Sequence, residues 1–113
     1  MQRKFRLTRS TDFKRVRRFG KSYAHPLVVL IVQASDQPRP RIGIAAGRTV
    51  GNAVRRNRAK RLLRAAMRRI LPDVAAGRDL LLIARPPLIA STLEETDAAL
   101  HNLLQRAKLL SAP

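Results

Sequence analysis

The chain has 113 residues and 45% hydrophobic content, which fits one compact domain over residues 1–113 and excludes a disordered protein. It carries 24 Lys and Arg against 7 Asp and Glu, a net charge of +17 that destabilises a fold by self-repulsion unless a polyanion offsets it. Cysteine is absent, which excludes disulfides and thiolate metal sites, and no apolar run reaches the roughly 18 residues of a membrane span. We therefore expect a cytoplasmic protein that binds nucleic acid and no membrane.

The first half of the chain predicts one helix and two or three strands. Thr11-Asp12 offers side chains that cap a helix start, so we expect a short helix from there to about Gly20. The aliphatic run 27–32 predicts a buried strand, and 42–46 predicts a second strand that pairs antiparallel with it through a proline-rich turn. A weaker strand is expected around 22–25.

The longest helix is predicted over about 52–71, where Pro72 stops it. Successive residues placed 100° apart divide this helix into an apolar arc and a basic arc. The apolar arc contains Ala59, Leu62, Leu63, Ala66, Met67 and Ile70. The opposite arc contains Asn57, Lys60, Arg61, Arg64 and Arg68, with Arg56 and Arg58 on its flanks.

The remaining chain predicts a strand over 79–84 and a final helix. That helix begins near Ser91 or Thr92, each followed three residues later by a glutamate, which is a capping-box pattern. The order α-β-β-(β)-α-β-α predicts an α+β fold, a single two-layer sandwich of a small mixed sheet and about three helices.

Side chains suited to protein-borne catalysis are scarce. The two histidines, His25 and His101, fall in different predicted elements, and the acids are too few for paired-carboxylate chemistry. We expect no catalytic side chain and no metal site in the protein.

The basic arc indicates a phosphate-binding surface. Pairs such as Arg56–Lys60 and Lys60–Arg64 repel one another on a helix, and arginines at its N-terminus oppose the helix dipole. Bound phosphates would relieve both costs, and the planar guanidinium suits bidentate contact. Phe13 is equally compatible with a core position and with a face on which RNA bases stack.

Residues 51–64, GNAVRRNRAKRLLR, resemble the signature of the bacterial ribonuclease P protein family. The resemblance extends to 6–20, which contains the family's Asp-Phe pair, and to 41–47 and 82–85, which resemble the strands before and after the motif. Glu94-Glu95 resembles the start of the family's last helix. The resemblance also implies an unusual left-handed crossover at the motif helix.

The resemblance implies a subunit of an endoribonuclease. The protein would join a catalytic RNA, which with Mg²⁺ removes the 5′ leader of precursor tRNA; no obligate protein partner is expected. The residues expected to bind the catalytic RNA are Arg48, Arg55, Arg56, Asn57, Arg58, Lys60, Arg61, Arg64 and Arg68. Those expected to bind the single-stranded leader are Phe13, Arg17 and Ile31.

Two of the leader-binding positions depart from the family pattern. Arg17 stands where the family commonly has a second aromatic, and Ile31 where some members have an aromatic on the sheet. We therefore expect the leader contact to depend more on charge and aliphatic packing in this chain.

Two other functions fit the composition. One is a ribosomal or other structural RNA-binding protein; the other is a cationic module that binds DNA or an anionic membrane. A DNA-recognition helix would expose polar base-reading side chains, and a membrane helix would expose its apolar stripe. Neither describes the predicted helix over 52–71, and the 14-residue signature favours the ribonuclease P function.

Overall fold

A computed structural model describes residues 3–110 and confirms the α+β prediction and the predicted order of elements. The helices and strands are α1 (Ser10–Phe19), β1 (Lys21–Ala24), β2 (Val28–Ala34), β3 (Arg41–Ala46), α2 (Ala53–Ile70), β4 (Arg78–Ala84) and α3 (Leu93–Arg106). Short 3₁₀ turns lie at Arg3–Phe5, Arg48–Val50, Leu71–Asp73 and Pro86–Ala90. No helix within residues 3–110 is both long and apolar enough to cross a bilayer.

The four strands form one mixed sheet in the order β1-β2-β4-β3. The expected antiparallel pairing of β2 with β3 is wrong, because β4 lies between them, antiparallel to β2 and parallel to β3. Residues 79–82 of β4 are all buried, and a strand that is buried on both faces is best covered at the centre of a sheet. The parallel pairing of β3 with β4 makes α2 the helix of a crossover connection, and the left-handed sense of that connection stays a prediction.

The helices cover the two faces of the sheet unequally. α2 and α3 pack on one face, where Leu30, Leu80 and Leu82 join the helical side chains Leu63 and Leu103 in the larger core. α1 lies on the other face, where the smaller core consists of Leu7, Val16, Ile31 and Leu81. Alternate residues of β2 and β4 therefore serve two different cores, as the period of a strand requires.

The helix starts differ in how well they are capped. α1 begins at Ser10 after Arg9, without a side-chain cap, so the expected capping by Thr11 or Asp12 is wrong. The Asn52 side chain caps α2 by accepting from the backbone N–H of Arg55 at 3.0 Å. α3 has a complete capping box, because Thr92 and Glu95 each accept from the other's backbone N–H.

Candidate nucleic-acid interface

The start of α2 is shaped by Gly51. Its φ of 136° lies in the region that favours glycine, and a Cβ there would lie 2.6 Å from Cδ of Arg55. The Arg55 side chain therefore packs across a position that only glycine leaves open. The 3₁₀ turn Arg48–Val50 precedes this point, with Val50 buried and Arg48 exposed.

The two arcs of α2 are separated as its sequence predicts. Its apolar arc packs inward, with Leu62 half-buried and the other members buried, namely Ala59, Leu63, Ala66, Met67 and Ile70. Exposed residues of the predicted RNA-binding set on this helix are Arg55, Asn57, Arg58, Arg61 and Arg68, and half-buried ones are Arg56, Lys60 and Arg64. We call the eight cations of that set, with Arg48 included, the basic face.

No carboxylate in the described part of the chain forms an ion pair with the basic face. Within residues 3–110 the ion pairs are Arg15 with Asp12 and Asp79, Arg41 with Asp79, and His101 with Asp97. None of them involves the basic face. The Nε atom of Arg56 is buried and has no hydrogen-bond partner among these residues, a situation that costs about 1–3 kcal/mol. The surface is therefore electrostatically suited to an external polyanion.

A second surface lies on the face of the sheet that carries α1. Ile31, Leu81 and Gly43 are in register across three strands, and Ile31 and Leu81 pack with Val16 of α1 in the smaller core. The neighbouring row across the same strands contains Val29, Ile83 and Ala45, which are only half-buried. This row forms an apolar floor beside α1.

Side chains of α1 form one wall above this floor. Phe13, Lys14 and Arg17 line a hollow together with Ala45 and Leu81. The Phe13 ring lies directly over Gly43, because a Cβ at that glycine would lie 2.8 Å from the ring atoms Cε1 and Cζ. Phe13 is therefore half-buried against the sheet and also borders the hollow. We call the hollow and the floor the α1 cleft.

The structure places the three predicted leader-binding residues differently. Phe13 and Arg17 line the α1 cleft, Arg17 with an exposed side chain. Ile31 is only 4% exposed, because it lies in the smaller core with Val16 of α1. Ile31 therefore supports the cleft from below and offers little surface of its own.

The α1 cleft and the basic face meet at the β3 edge of the sheet. Phe13 and Arg64 border the same hollow, of about 190 Å³, whose other walls are Arg6, Leu7, Thr8, Ile42 and Ile44. The N-terminal segment reaches this edge because the N–H of Leu7 donates to the carbonyl of Ile42 at 2.9 Å. The sequence did not predict that this N-terminal segment lies at the junction, because the segment is basic but lacks the periodicity of a helix or strand.

A buried carboxylate lies on the far side of α1 from the cleft. Asp79 is fully buried and accepts from Nε and Nη2 of Arg41 at 3.0 and 2.9 Å and from Nη2 of Arg15 at 2.7 Å. Arg15 also donates to Gln33 and, at 3.3 Å, to Asp12. Burial raises the pKa of Asp79, but the hydrogen bonds and charges of the two arginines outweigh it and hold that pKa below its usual value.

The histidines have local structural partners. Nδ1 of His25 accepts from the backbone N–H of Leu27 at 3.0 Å, within the turn between β1 and β2. Nδ1 of His101 lies 2.9 Å from the backbone carbonyl of Asp97, one turn earlier in α3. Among residues 3–110, no three His, Cys, Asp or Glu side chains are grouped so that they could hold a metal ion.

Comparison with known proteins points to one family. The sequence profile of the Ribonuclease P family matches residues 1–108. The chain is 39% identical to the ribonuclease P protein component of Herpetosiphon aurantiacus, covering 96% of this chain and 89% of that protein. It is 40% identical to the protein of the same description from Brevibacillus brevis, covering 97% of this chain and 88% of that one.

Solved structures of the same description share the fold. The Staphylococcus aureus RNase P protein superposes with a TM-score of 0.84 at 28% identity, covering 95% of this chain and 98% of that chain. The Thermotoga maritima RNase P protein gives a TM-score of 0.80 at 30% identity, covering 89% and 96%.

Proposed function

Because this chain belongs to the Ribonuclease P protein family, we propose that it is the protein subunit of a ribonucleoprotein that removes the 5′ leader of precursor tRNA. The observation that carries the proposal is the basic face, six of whose eight cations lie within the family's signature and which has no carboxylate partner within residues 3–110. The alternative of a ribosomal or other structural RNA-binding protein gains no support from the relatives.

The basic face is the proposed contact with the RNA subunit. Its eight cations are Arg48, Arg55, Arg56, Arg58, Lys60, Arg61, Arg64 and Arg68, and Asn57 lies among them. Neutralising phosphates with these side chains releases counterions, which drives association and makes it depend on salt. The inward packing of the apolar arc leaves Lys60, Arg61, Arg64 and Arg68 on the opposite side of α2, so these four can contact one RNA surface together.

The α1 cleft is the proposed site for the single-stranded leader. Its apolar floor can accept unstacked bases, and the half-buried Phe13 offers aromatic surface that a base can contact. Lys14 and Arg17 stand at its rim, where they can contact phosphates. Because Arg64 and Phe13 border one hollow, a leader in the cleft can continue directly to the basic face.

The chemical step is assigned to the RNA subunit with Mg²⁺. Magnesium prefers oxygen ligands from carboxylates, and residues 3–110 present no such group of side chains. Among the residues that the structure describes, Asp79 is the one fully buried carboxylate, and two arginines already bind it. The protein's proposed part is to bind and orient RNA, and the magnesium ions are proposed to be held mainly by the RNA subunit.

Reconstitution tests the proposal as a whole. The chain is mixed with a bacterial ribonuclease P RNA at a magnesium concentration where the RNA alone is nearly inactive, and release of the 5′ leader is measured. We expect cleavage at the mature 5′ end only when both components are present. Cleavage that the chain does not stimulate would overturn the proposed function.

A pair of phenylalanine variants tests the leader site. Phe13→Ala should weaken binding of precursor tRNA to the reconstituted particle by about tenfold, since stacking on an aromatic contributes about 1–3 kcal/mol per base. Mature tRNA, which lacks the leader, should bind unchanged. Phe19→Ala is the matched control, because Phe19 is 66% exposed and lies about 240° around α1 from Phe13. Equal losses of affinity for both tRNAs, or for both variants, would contradict the proposal that the leader binds in the α1 cleft.

A further inference from the structure

We propose that Asp79 is a positioning residue for leader binding: by binding Arg15 it fixes α1 on the sheet and so sets the width of the α1 cleft. The inference rests on the proposed function of that cleft. Asp79 touches neither the cleft nor the basic face, and it acts only through the helix that it holds.

α1 has few other attachments. Only Val16 of its ten residues is buried, and no side chain caps its N-terminus. Apolar contact through one valine and the half-buried Phe13 resists lifting of the helix, and its ends are tethered at Leu7 on β3 and at Gly20 beside β2. Neither apolar contact fixes the tilt of the helix between these ends. The helix therefore needs a directional contact if its side chains are to keep a fixed distance from the floor.

The Arg15–Asp79 contact supplies that direction. Asp79 sits in β4, one of the two inner strands, and its Oδ2 atom accepts from Nη2 of Arg15 at 2.7 Å. Arg15 also donates to Gln33 on β2, so the guanidinium joins α1 to two strands. Charge-assisted hydrogen bonds of this kind are short and depend strongly on orientation. Arg15 stands two residues from both Phe13 and Arg17, so a shift of Arg15 moves both cleft residues.

Arg41 provides an internal control. It makes a bidentate contact with the same carboxylate, at 3.0 and 2.9 Å, but it belongs to β3. β3 is already held to β4 by a parallel ladder of six residue pairs. Loss of Arg41 therefore removes a charge and an ion pair from this cluster without detaching α1.

The experiment compares Arg15→Met with Arg41→Met in the reconstituted particle. Either variant leaves Asp79 with one arginine, so no unpaired charge is buried. Three affinities are measured: for the RNA subunit, for precursor tRNA and for mature tRNA. Arg15→Met should weaken precursor tRNA binding about tenfold if the docked population of α1 falls to about one tenth. The other two affinities should stay within about twofold of wild type, because the basic face is unchanged.

Two further variants make the test specific. Arg15→Lys keeps a cation near Asp79 but lacks the planar guanidinium that also reaches Gln33, so it should restore only part of the precursor affinity. Arg41→Met, which removes an ion pair of the same carboxylate, controls for general destabilisation. Asp79→Asn should reproduce the Arg15→Met phenotype, measured at a temperature where circular dichroism shows it folded. If it does not fold, the Arg15 and Arg41 variants still decide the matter.

The outcomes separate this inference from the proposed function. If wild type prefers precursor over mature tRNA and Arg15→Met keeps that preference, the positioning role is overturned and the leader site stands. Equal effects of Arg15→Met and Arg41→Met would also overturn it. If wild type shows no preference for precursor tRNA, the proposed leader site and the positioning role both fall.

Discussion

The basic face allows a quantitative prediction for the double substitution Arg58→Ala and Arg61→Ala. Both side chains are exposed and have no ion-pair partner within residues 3–110. The half-buried Arg56 is left in place, because its removal would also alter packing at the start of α2. The slope of log affinity against log salt is negative, and each phosphate contact contributes about 0.7–0.9 to its magnitude. Loss of two contacts should therefore make the slope shallower by about 1.6.

The loss of affinity follows from the same relation. If wild type and the double variant bind equally at 1 M salt, the two lost contacts weaken RNA binding by about 40-fold at 0.1 M salt and about sevenfold at 0.3 M salt. Protein stability should not fall, because alanine favours helices and the double variant removes repulsion between neighbouring arginines. Fluorescence anisotropy with a labelled ribonuclease P RNA over a salt series measures affinity and slope together.

A charge-matched control excludes a general effect of net charge. Arg39 and Arg78 are exposed cations near the opposite end of the sheet, in the β2–β3 loop and at the start of β4. Their double alanine variant should bind within about twofold of wild type with an unchanged slope. Equal losses in the two double variants, or an unchanged slope for the Arg58 and Arg61 pair, would refute a phosphate contact by the basic face.

The fold and the loop before α2 give three further predictions. The two arginines lower the pKa of Asp79, so they stabilise the fold at pH values above the pKa of an unpaired aspartate, about 3.9, and this stabilisation is lost as pH falls through the folded pKa. Below about pH 4, the free energy of unfolding measured in urea should therefore fall more steeply in wild type than in Asp79→Asn. Gly51→Ala should destabilise the protein by about 1–3 kcal/mol and weaken RNA binding by displacing Arg55, whereas Gly47→Ala, with open space around it, should do neither; similar urea curves and affinities for the two variants would contradict this. Leu63→Ala should cost about 2–5 kcal/mol in the same unfolding assay because Leu63 is fully buried, and a loss under about 1 kcal/mol would contradict its place in the core.

Local patterns in the sequence predict the elements well. The helical period of residues 53–70 separates apolar from basic side chains, and the structure keeps that separation. The aliphatic runs become β2 and β4 because short β-branched and leucine-rich stretches between turns favour buried strands. At the last helix two caps fit the pattern, and the choice depends on the preceding turn. Ser91 donates to the carbonyl of Leu88 at 2.7 Å, which leaves Thr92 to cap α3.

Contacts between segments that are distant in the sequence could not be predicted from these local patterns. The pairing of β2 with β4 depends on which strand best fills the centre of the sheet, and nothing within either segment specifies its neighbour. Arg15 and Asp79 lie 64 positions apart, so neither local charge nor periodicity predicts their contact. The helical period predicted the basic arc of α2, whereas the floor of the α1 cleft combines residues of three strands and became visible only once their register was known.

Site-specific crosslinking tests most directly whether the two surfaces bind different RNAs. The chain contains no cysteine, so Arg61→Cys and Lys14→Cys each provide one attachment point for a photoreactive group. In the particle bound to precursor tRNA, we expect position 61 to crosslink to the ribonuclease P RNA and position 14 to the 5′ leader. Crosslinks from position 61 to the leader alone, or from position 14 to the RNA subunit alone, would contradict the assignment of both surfaces.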